Sequence, residues 1–263
     1  MPASWAEPGA PMQLYPDSLV YLFCDLFGEE WVEKPSDALF GRIPIDARFV
    51  EPALVPERRV TEKSVGEQMA VACVLWLAQN GYFELSVAEE RGWNFETYEK
   101  VFCLRRQPLP DSPLFARFGL AFESELNSIW LRRKRRAATM GVSCDRLALS
   151  LRRFRWFRND PYRYACDLVR QRLVSAGLYS VGSERIAGPF LRPVLKLDPE
   201  KVRPFEPQAR ALATGMGEFA VHHPELHAVV RDNITRTMLK MRCDEEYMSS
   251  RESDEAASGD SPI

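Results

Sequence analysis

The apolar positions fall into a few runs, and each run changes its period at a glycine or a proline. SLVYLFCDLF is apolar on most sides and closed by Gly28, which predicts a short buried helix capped by Asp17 or Ser18. Ser64 and Glu67 stand three apart as in a capping box, and MAVACVLWLAQN behind them is apolar almost all round. That pattern predicts a central helix over Ser64–Asn80. After Gly81 the period drops to two: YFELSV (82–87) and TYEKVFCLRR (97–106) alternate as strands, with AEERGWNF (88–95) as the loop of a hairpin.

The same order returns 96 positions later, counted from Gly81 to Gly177. DPYRYACDLVRQRLVSAG has Asp160 as N-cap, Pro161 at the first helical position, and a stripe of Ala165, Leu168, Val169, Leu173 and Ala176. LYSV and LRPVLKL then pair around a Gly182–Pro189 loop, with Pro193 confining its strand to an edge or a bulge. Between the two units, Phe115, Phe118, Phe122, Leu126, Ile129 and Trp130 recur at helical spacing in one long amphipathic helix ended by Gly141. Farther on, PFEPQARALATGMGEFAVHH and PELHAVVRDNITRTMLKMR predict two helices parted at Pro224. The second turns Leu226, Val229, Val230, Ile234, Met238 and Met241 inward.

Together these elements predict a mainly α protein: a single helical domain over residues 17–243 with two small β-hairpins, each following a buried helix in a winged-helix-like unit. Pro2, Pro8, Pro11 and Pro16 mark residues 1–16 as a flexible arm. The proline-interrupted stretch from Gly28 to Arg59 predicts an extended wrap over the core. Residues 244–263 set seven acids against Arg251, with Ser and Gly in place of a core, and predict a disordered acidic tail.

Composition narrows the class. At 263 residues and 46% hydrophobic, the chain has ample material for a core. Cys24, Cys73, Cys103, Cys144, Cys166 and Cys243 show no CxxC spacing and several sit in apolar runs, the usage of free thiols in a reducing, cytoplasmic setting. No run approaches the ~20 apolar residues that span a bilayer, so a transmembrane segment is not expected and membrane contact is expected to be peripheral. The start MPASWAEPGAPMQ has neither the basic nor the apolar part of a secretory signal.

Charge changes the picture more. Against a net charge of -2, the stretch Trp130–Arg163 gathers eleven Arg and Lys with only Asp145 and Asp160. Arg132, Arg133, Lys134, Arg135 and Arg136 form the main expected anion-binding footprint, with Arg152, Arg153, Arg155 and Arg163 as helpers. Phe154, Trp156 and Phe157 interleave, so planar cations and rings can meet phosphates, bases or lipid headgroups together. The structural alternative is a solvated helix end whose cations suit the helix dipole, with the rings packed under arginine stems.

Recognised chemistry is sparse. All three histidines lie in HHPELH, where His223 and His227 are four apart beside Glu225, yet Pro224 interrupts the segment. Ordinary helix-junction histidines are expected, with no metal and no cofactor. There is no GxxxxGK loop, no GxGxxG after a strand, no GxSxG elbow and no kinase set, so no catalytic residue is assigned. The pairs Glu29/Glu30 and Glu89/Glu90 are expected to be solubilising.

VLWLAQNGYFEL, DLVRQRLVSAGLYSV, and LRPVLKLD followed by terminal helices resemble, in their order over about residues 65–240, the Golgi phosphoprotein 3 family. The resemblance implies a helical peripheral membrane protein that binds a phosphoinositide headgroup through an aromatic and several arginines, and an adaptor that retains glycosyltransferases. Counting back from Gly177, Arg163 falls near one expected arginine and Cys166 occupies the next. Counting back from Gly81, Ala70 stands where another belongs, and Thr61 replaces the aromatic. The family's lipid pocket is therefore only partly represented, and Arg132–Arg136 is the substitute anion site.

The leading expectation is a non-enzymatic binding or adaptor protein whose basic surface recognises anionic membrane lipid or an acidic protein partner. A winged-helix nucleic-acid binder and an enzyme without a recognised motif are the alternatives. A pI of 6.0 counts against the first of these.

Overall fold

A computed structural model describes residues 13–27, 62–91, 97–132, 141–152, 160–187 and 190–258. In chain order these form α1 (Pro16–Leu22), α2 (Glu62–Gln79), β1 (Phe83–Arg91), β2 (Thr97–Arg105), α3 (Pro113–Arg132), β3 (Val142–Ser143), α4 (Cys144–Leu149) and α5 (Pro161–Ser175). β4 (Tyr179–Ala187), β5 (Phe190–Leu197), α6 (Pro199–Val202), α7 (Glu206–His222) and α8 (Pro224–Ser258) follow. The protein is mainly α, as the periodicities predict.

The near-continuous apolar surface of α2 has to be enclosed on every side. From Met69 to Leu75 no residue exceeds 3% exposure, and α1, α3, α5, α7 and α8 all pack against it. Its end is a glycine turn. Gly81 stands at φ 73°, Gly81 N–H donates to Ala78 O at 3.1 Å, and Tyr82 N–H to Leu77 O at 2.8 Å. This is the paired-bond stop that a left-handed residue makes possible, and glycine adopts that conformation without a Cβ penalty.

α5 ends the same way, bond for bond. Gly177 has φ 71°, its N–H donates to Val174 O at 2.9 Å, and Leu178 N–H to Leu173 O at 3.0 Å. Even the closure of the hairpins matches, with Arg106 N–H bonded to Tyr82 O and Asp198 N–H to Leu178 O. The repeat read from the sequence is a repeat of backbone geometry.

β1 and β2 pair antiparallel from Phe83↔Arg105 to Arg91↔Thr97, so the first strand runs through AEER, which the sequence reading assigns to the loop. β4 and β5 likewise pair from Tyr179↔Leu197 to Ala187↔Phe190, leaving no Gly182–Pro189 loop. Strand pairing has extended inward to the turn in both hairpins, since each added pair bonds backbone that would otherwise bond only water. Pro193 faces Ser183 in a two-stranded sheet, an edge position, and the register shifts at Arg185/Ala187. β3, which the patterns do not predict, adds to β2 through Phe102↔Ser143 and Cys103↔Val142.

Several helix ends differ from expectation. α1 begins at Pro16 after Tyr15, and Asp17 is spent elsewhere: Ser112 Oγ donates to its Oδ2, as does Leu114 N–H at 3.1 Å, so Asp17 caps the start of α3. α2 begins at Glu62, which places Ser64 inside the helix and turns Glu67 toward α5. Gly141 precedes β3, where a Cβ would stand 2.2 Å from Cys103 O. The arm predicted over 1–16 is ordered at its inner end, with Leu14 buried and the Tyr15 ring 5.9 Å from that of Trp76. α8 continues to Ser258, past the expected stop at Asp244. From 244 to 258 the sequence has no Gly or Pro and several Glu, Arg, Met and Ala, so a helix already nucleated by packing propagates. The proposed wrap over 28–59 lies outside the described residues.

Candidate anion-binding face

The starts of α2 and α5 meet. Gly66 lies so close to Tyr162 that a Cβ on it would be 2.9 Å from the Tyr162 Cα, and only glycine permits that approach. Two helix N-termini, each a positive dipole end, therefore sit side by side. α5 is held there by Asp160, whose Oδ1 accepts from Tyr162 N–H at 3.0 Å and Arg163 N–H at 3.1 Å.

Cations surround this point. Lys63 is exposed in the first turn of α2, and Arg163 is half-buried in the first turn of α5, 3.9 Å from Asp167. Arg231 and Arg242 on α8 lie within electrostatic range of Glu67 and Tyr162 respectively. Burial pushes the Glu67 carboxyl up, while Lys63, Tyr162 and Arg231 pull it back. Burial and the Glu67 carboxyl also push the Tyr162 phenol up. Glu67 and Tyr162 act on each other's protons, yet neither Glu67 Oε1 nor Tyr162 Oη has a partner of ordinary hydrogen-bond geometry.

Arg117 on α3 joins this face to the basic stretch. Its Nε donates to Ser150 O at 2.8 Å, a terminal nitrogen donates to Arg152 O at 3.3 Å, and the guanidinium lies over the Tyr164 ring at 5.4 Å. Residues on both sides of 153–159 thus contact one side chain, and Arg152 is brought to the first turn of α5. Arg132, by contrast, ends α3 at a position about 22 Å along the helix axis from Arg117 at ~1.5 Å per residue. Among the described residues, Arg132 and Arg152 of the stretch read as one footprint therefore lie toward opposite ends of α3. Arg133, Lys134, Arg135, Arg136, Arg153 and Arg155 lie outside the described residues, as do Phe154, Trp156 and Phe157.

Sequence reasoning missed Lys63, Arg117, Arg231 and Arg242. Only Lys63 carried a signal, through its place beside Ser64 at a predicted helix start; the others are assembled by packing of distant helices.

Of the other candidates, Glu29 and Glu30 lie outside the described residues. His222 ends α7, His223 N–H donates to Phe219 O at 2.8 Å as its cap, and His227 N–H donates to His223 O at 2.9 Å. Glu90 pairs with Lys100 at 2.5 Å, and Lys100 also reaches Asp145 at 3.2 Å, tying the hairpin to α4. Two of the grooves among the described residues are sizeable. One, of about 640 Å³, runs past Trp76, Gln79, Asn80 and Gln208 with no charged lining residue. The other, of about 650 Å³, runs past Arg105, Arg106 and Glu123, with Arg106 paired to Glu84 and Arg105 over the Phe122 ring. Neither sets a nucleophile beside a base. Among the described residues no cluster of His, Cys, Asp and Glu is arranged for a metal, and no helix is long and apolar enough to cross a membrane.

Comparison of the chain with protein-family models, with curated proteins and with solved structures gave no match.

Proposed function

We propose that this is a peripheral binding protein that docks on anionic lipid headgroups through the face where α2 and α5 begin. The observation that carries the reading is the Gly66–Tyr162 contact, which sets two helix N-termini together with Lys63 and Arg163 beside them. The positive dipole ends and the cations favour the same ligand, a phosphate, and each cation near an anionic bilayer contributes about 1 kcal/mol. The resemblance in element order to the Golgi phosphoprotein 3 family supports a membrane role, with an adaptor function as its corollary. Arg132–Arg136, which begin at the last residue of α3, supply a second electrostatic contact.

Liposome flotation tests this. Lys63→Glu with Arg163→Glu should weaken binding to phosphoinositide-containing vesicles roughly tenfold or more, at about 1 kcal/mol per lost cation, with the far-ultraviolet circular dichroism unchanged. Reversal of Arg132, Lys134 and Arg136 should weaken binding to any anionic vesicle with less headgroup preference. The helix, glycine turn and hairpin order is also that of a winged helix, so duplex DNA and RNA belong in the same experiment. A steep log–log salt slope with nucleic acid and no flotation would replace the membrane reading with that one.

A further inference from the structure

Cys103 on β2 and Cys144 at the start of α4 hold their sulfurs 3.7 Å apart, and both side chains are fully buried. The approach is built into the backbone. β3 lies on β2 through Cys103↔Val142, and Gly141 lets the two chains come closer than any side chain would allow, its would-be Cβ falling 2.2 Å from Cys103 O. Val101, Val142, Cys144 and Leu147 are all buried there, so the thiols face each other in an apolar pocket.

We propose that Cys103 and Cys144 are an oxidisable pair, the site of an intramolecular disulfide that ties β2 to α4. A disulfide is ~2.05 Å long, so the sulfurs need to close by about 1.7 Å, a movement within reach of side-chain rotation and a small shift of the two-residue strand β3. Hydrogen peroxide is the oxidant. One sulfur, as thiolate, attacks a peroxide oxygen; the O–O bond breaks, and the sulfur becomes a sulfenic acid as the leaving hydroxide takes the released proton to form water. The second sulfur then attacks the first, the S–O bond breaks, and hydroxide leaves with the second thiol's proton as another water. Two thiols lose two electrons, and one peroxide gains them.

Burial sets the conditions. Its neighbour's hydrogen bond and burial hold the Cys144 thiol well above its ordinary range, so the reactive thiolate forms only when the β3 contact opens. The pair therefore reports on opening of this corner, and once formed the bond holds it shut. Asp145, the next residue, anchors Lys100 of the hairpin and accepts from Thr237 of α8 at 3.3 Å, so the bond adds to a junction of three elements.

The test is peptide mapping of the full chain. Reduced protein is treated with hydrogen peroxide, alkylated after unfolding, and digested with trypsin without reductant. Peptides 101–105 and 137–146 should appear as one cross-linked species lacking two hydrogens, and dithiothreitol should restore both. Cys103→Ala should abolish the species, and Cys144→Ser, made separately, should do the same if the first variant folds poorly. Recovery of both cysteines fully alkylated, their conversion to sulfinic acids without a cross-link, or a dominant cross-link to another cysteine would overturn the proposal.

Discussion

Asn233 on α8 bonds β2 at Val101 as a neighbouring strand would: its Oδ1 accepts from Val101 N–H at 3.0 Å and its Nδ2 donates to Glu99 O at 3.0 Å. The carboxamide has the donor and acceptor of a peptide group, and β3 covers only Phe102 and Cys103 farther along the same edge. Asn233 is wholly buried, as is Val101. Asn233→Ala leaves a buried N–H without a partner and should lower the unfolding free energy by about 2 kcal/mol, read from the urea midpoint.

Gly81, Gly177 and Gly141 should separate into two classes. Gly81→Ala and Gly177→Ala force a Cβ into left-handed backbone but meet nothing nearer than 3.9 Å, so each should cost about 1–2 kcal/mol, nearly equally. Gly141→Ala meets the backbone of Cys103 at 2.2 Å and should cost clearly more. Thermal melts of the three variants decide this, and a Gly141→Ala melt matching the other two would contradict the assigned contact.

Glu67 gives the stability curve a pH dependence of definite sign. Its folded carboxyl is raised above the ordinary value of 4.5, so its favourable contribution is complete below that value and is lost as pH rises through the raised folded value. Relative to Glu67→Gln, the wild type should lose unfolding free energy across that window on going up in pH. Urea titrations at several pH values from 4 upward, at about half-unit steps, measure the difference; a wild type that gains stability with rising pH relative to the variant would place Glu67 in a different environment.

Arg117→Ala removes two bonds to backbone carbonyls and the contact with Tyr164. A loss of about 2 kcal/mol is expected by thermal or urea unfolding. Arg117→Met keeps much of the aliphatic packing and removes the charge-assisted bonds, so it should recover only part of that loss. Because Arg152 O is one of the anchors, flotation on anionic vesicles should fall as well, although Arg117 is not itself assigned to the lipid.

What could be read from the chain was what neighbouring residues decide among themselves. Asn80-Gly81, Ala176-Gly177 and Asp160-Pro161 specify their turns and cap through local backbone chemistry, and each is found where the sequence places it. Apolar spacing placed Phe115, Phe118 and Phe122 of α3, and Val230, Ile234, Met238 and Met241 of α8, in the core. Asp17 shows the limit. It has the look of a cap for its own helix, and only the fold shows it serving Leu114, 97 positions away. The candidate face was hidden for the same reason. Arg163 was visible as part of a basic run and Lys63 only by its place beside Ser64, but Arg231 and Arg242 arrive beside Glu67 and Tyr162 through packing that no local pattern encodes.

The two matching glycine turns also bear on how the chain is made. By Arg106 a nascent chain has already released α2, its turn and the whole β1–β2 hairpin, all joined by contacts of short sequence separation that form early. Asn233, which finishes the edge of β2, lies 132 positions beyond Val101 and emerges much later. At ~5–20 residues per second, that edge stands open for roughly ten seconds of synthesis. Glu99 and Lys100, charged residues at the uncovered positions, are the kind that keep an open strand from recruiting another chain until α8 arrives.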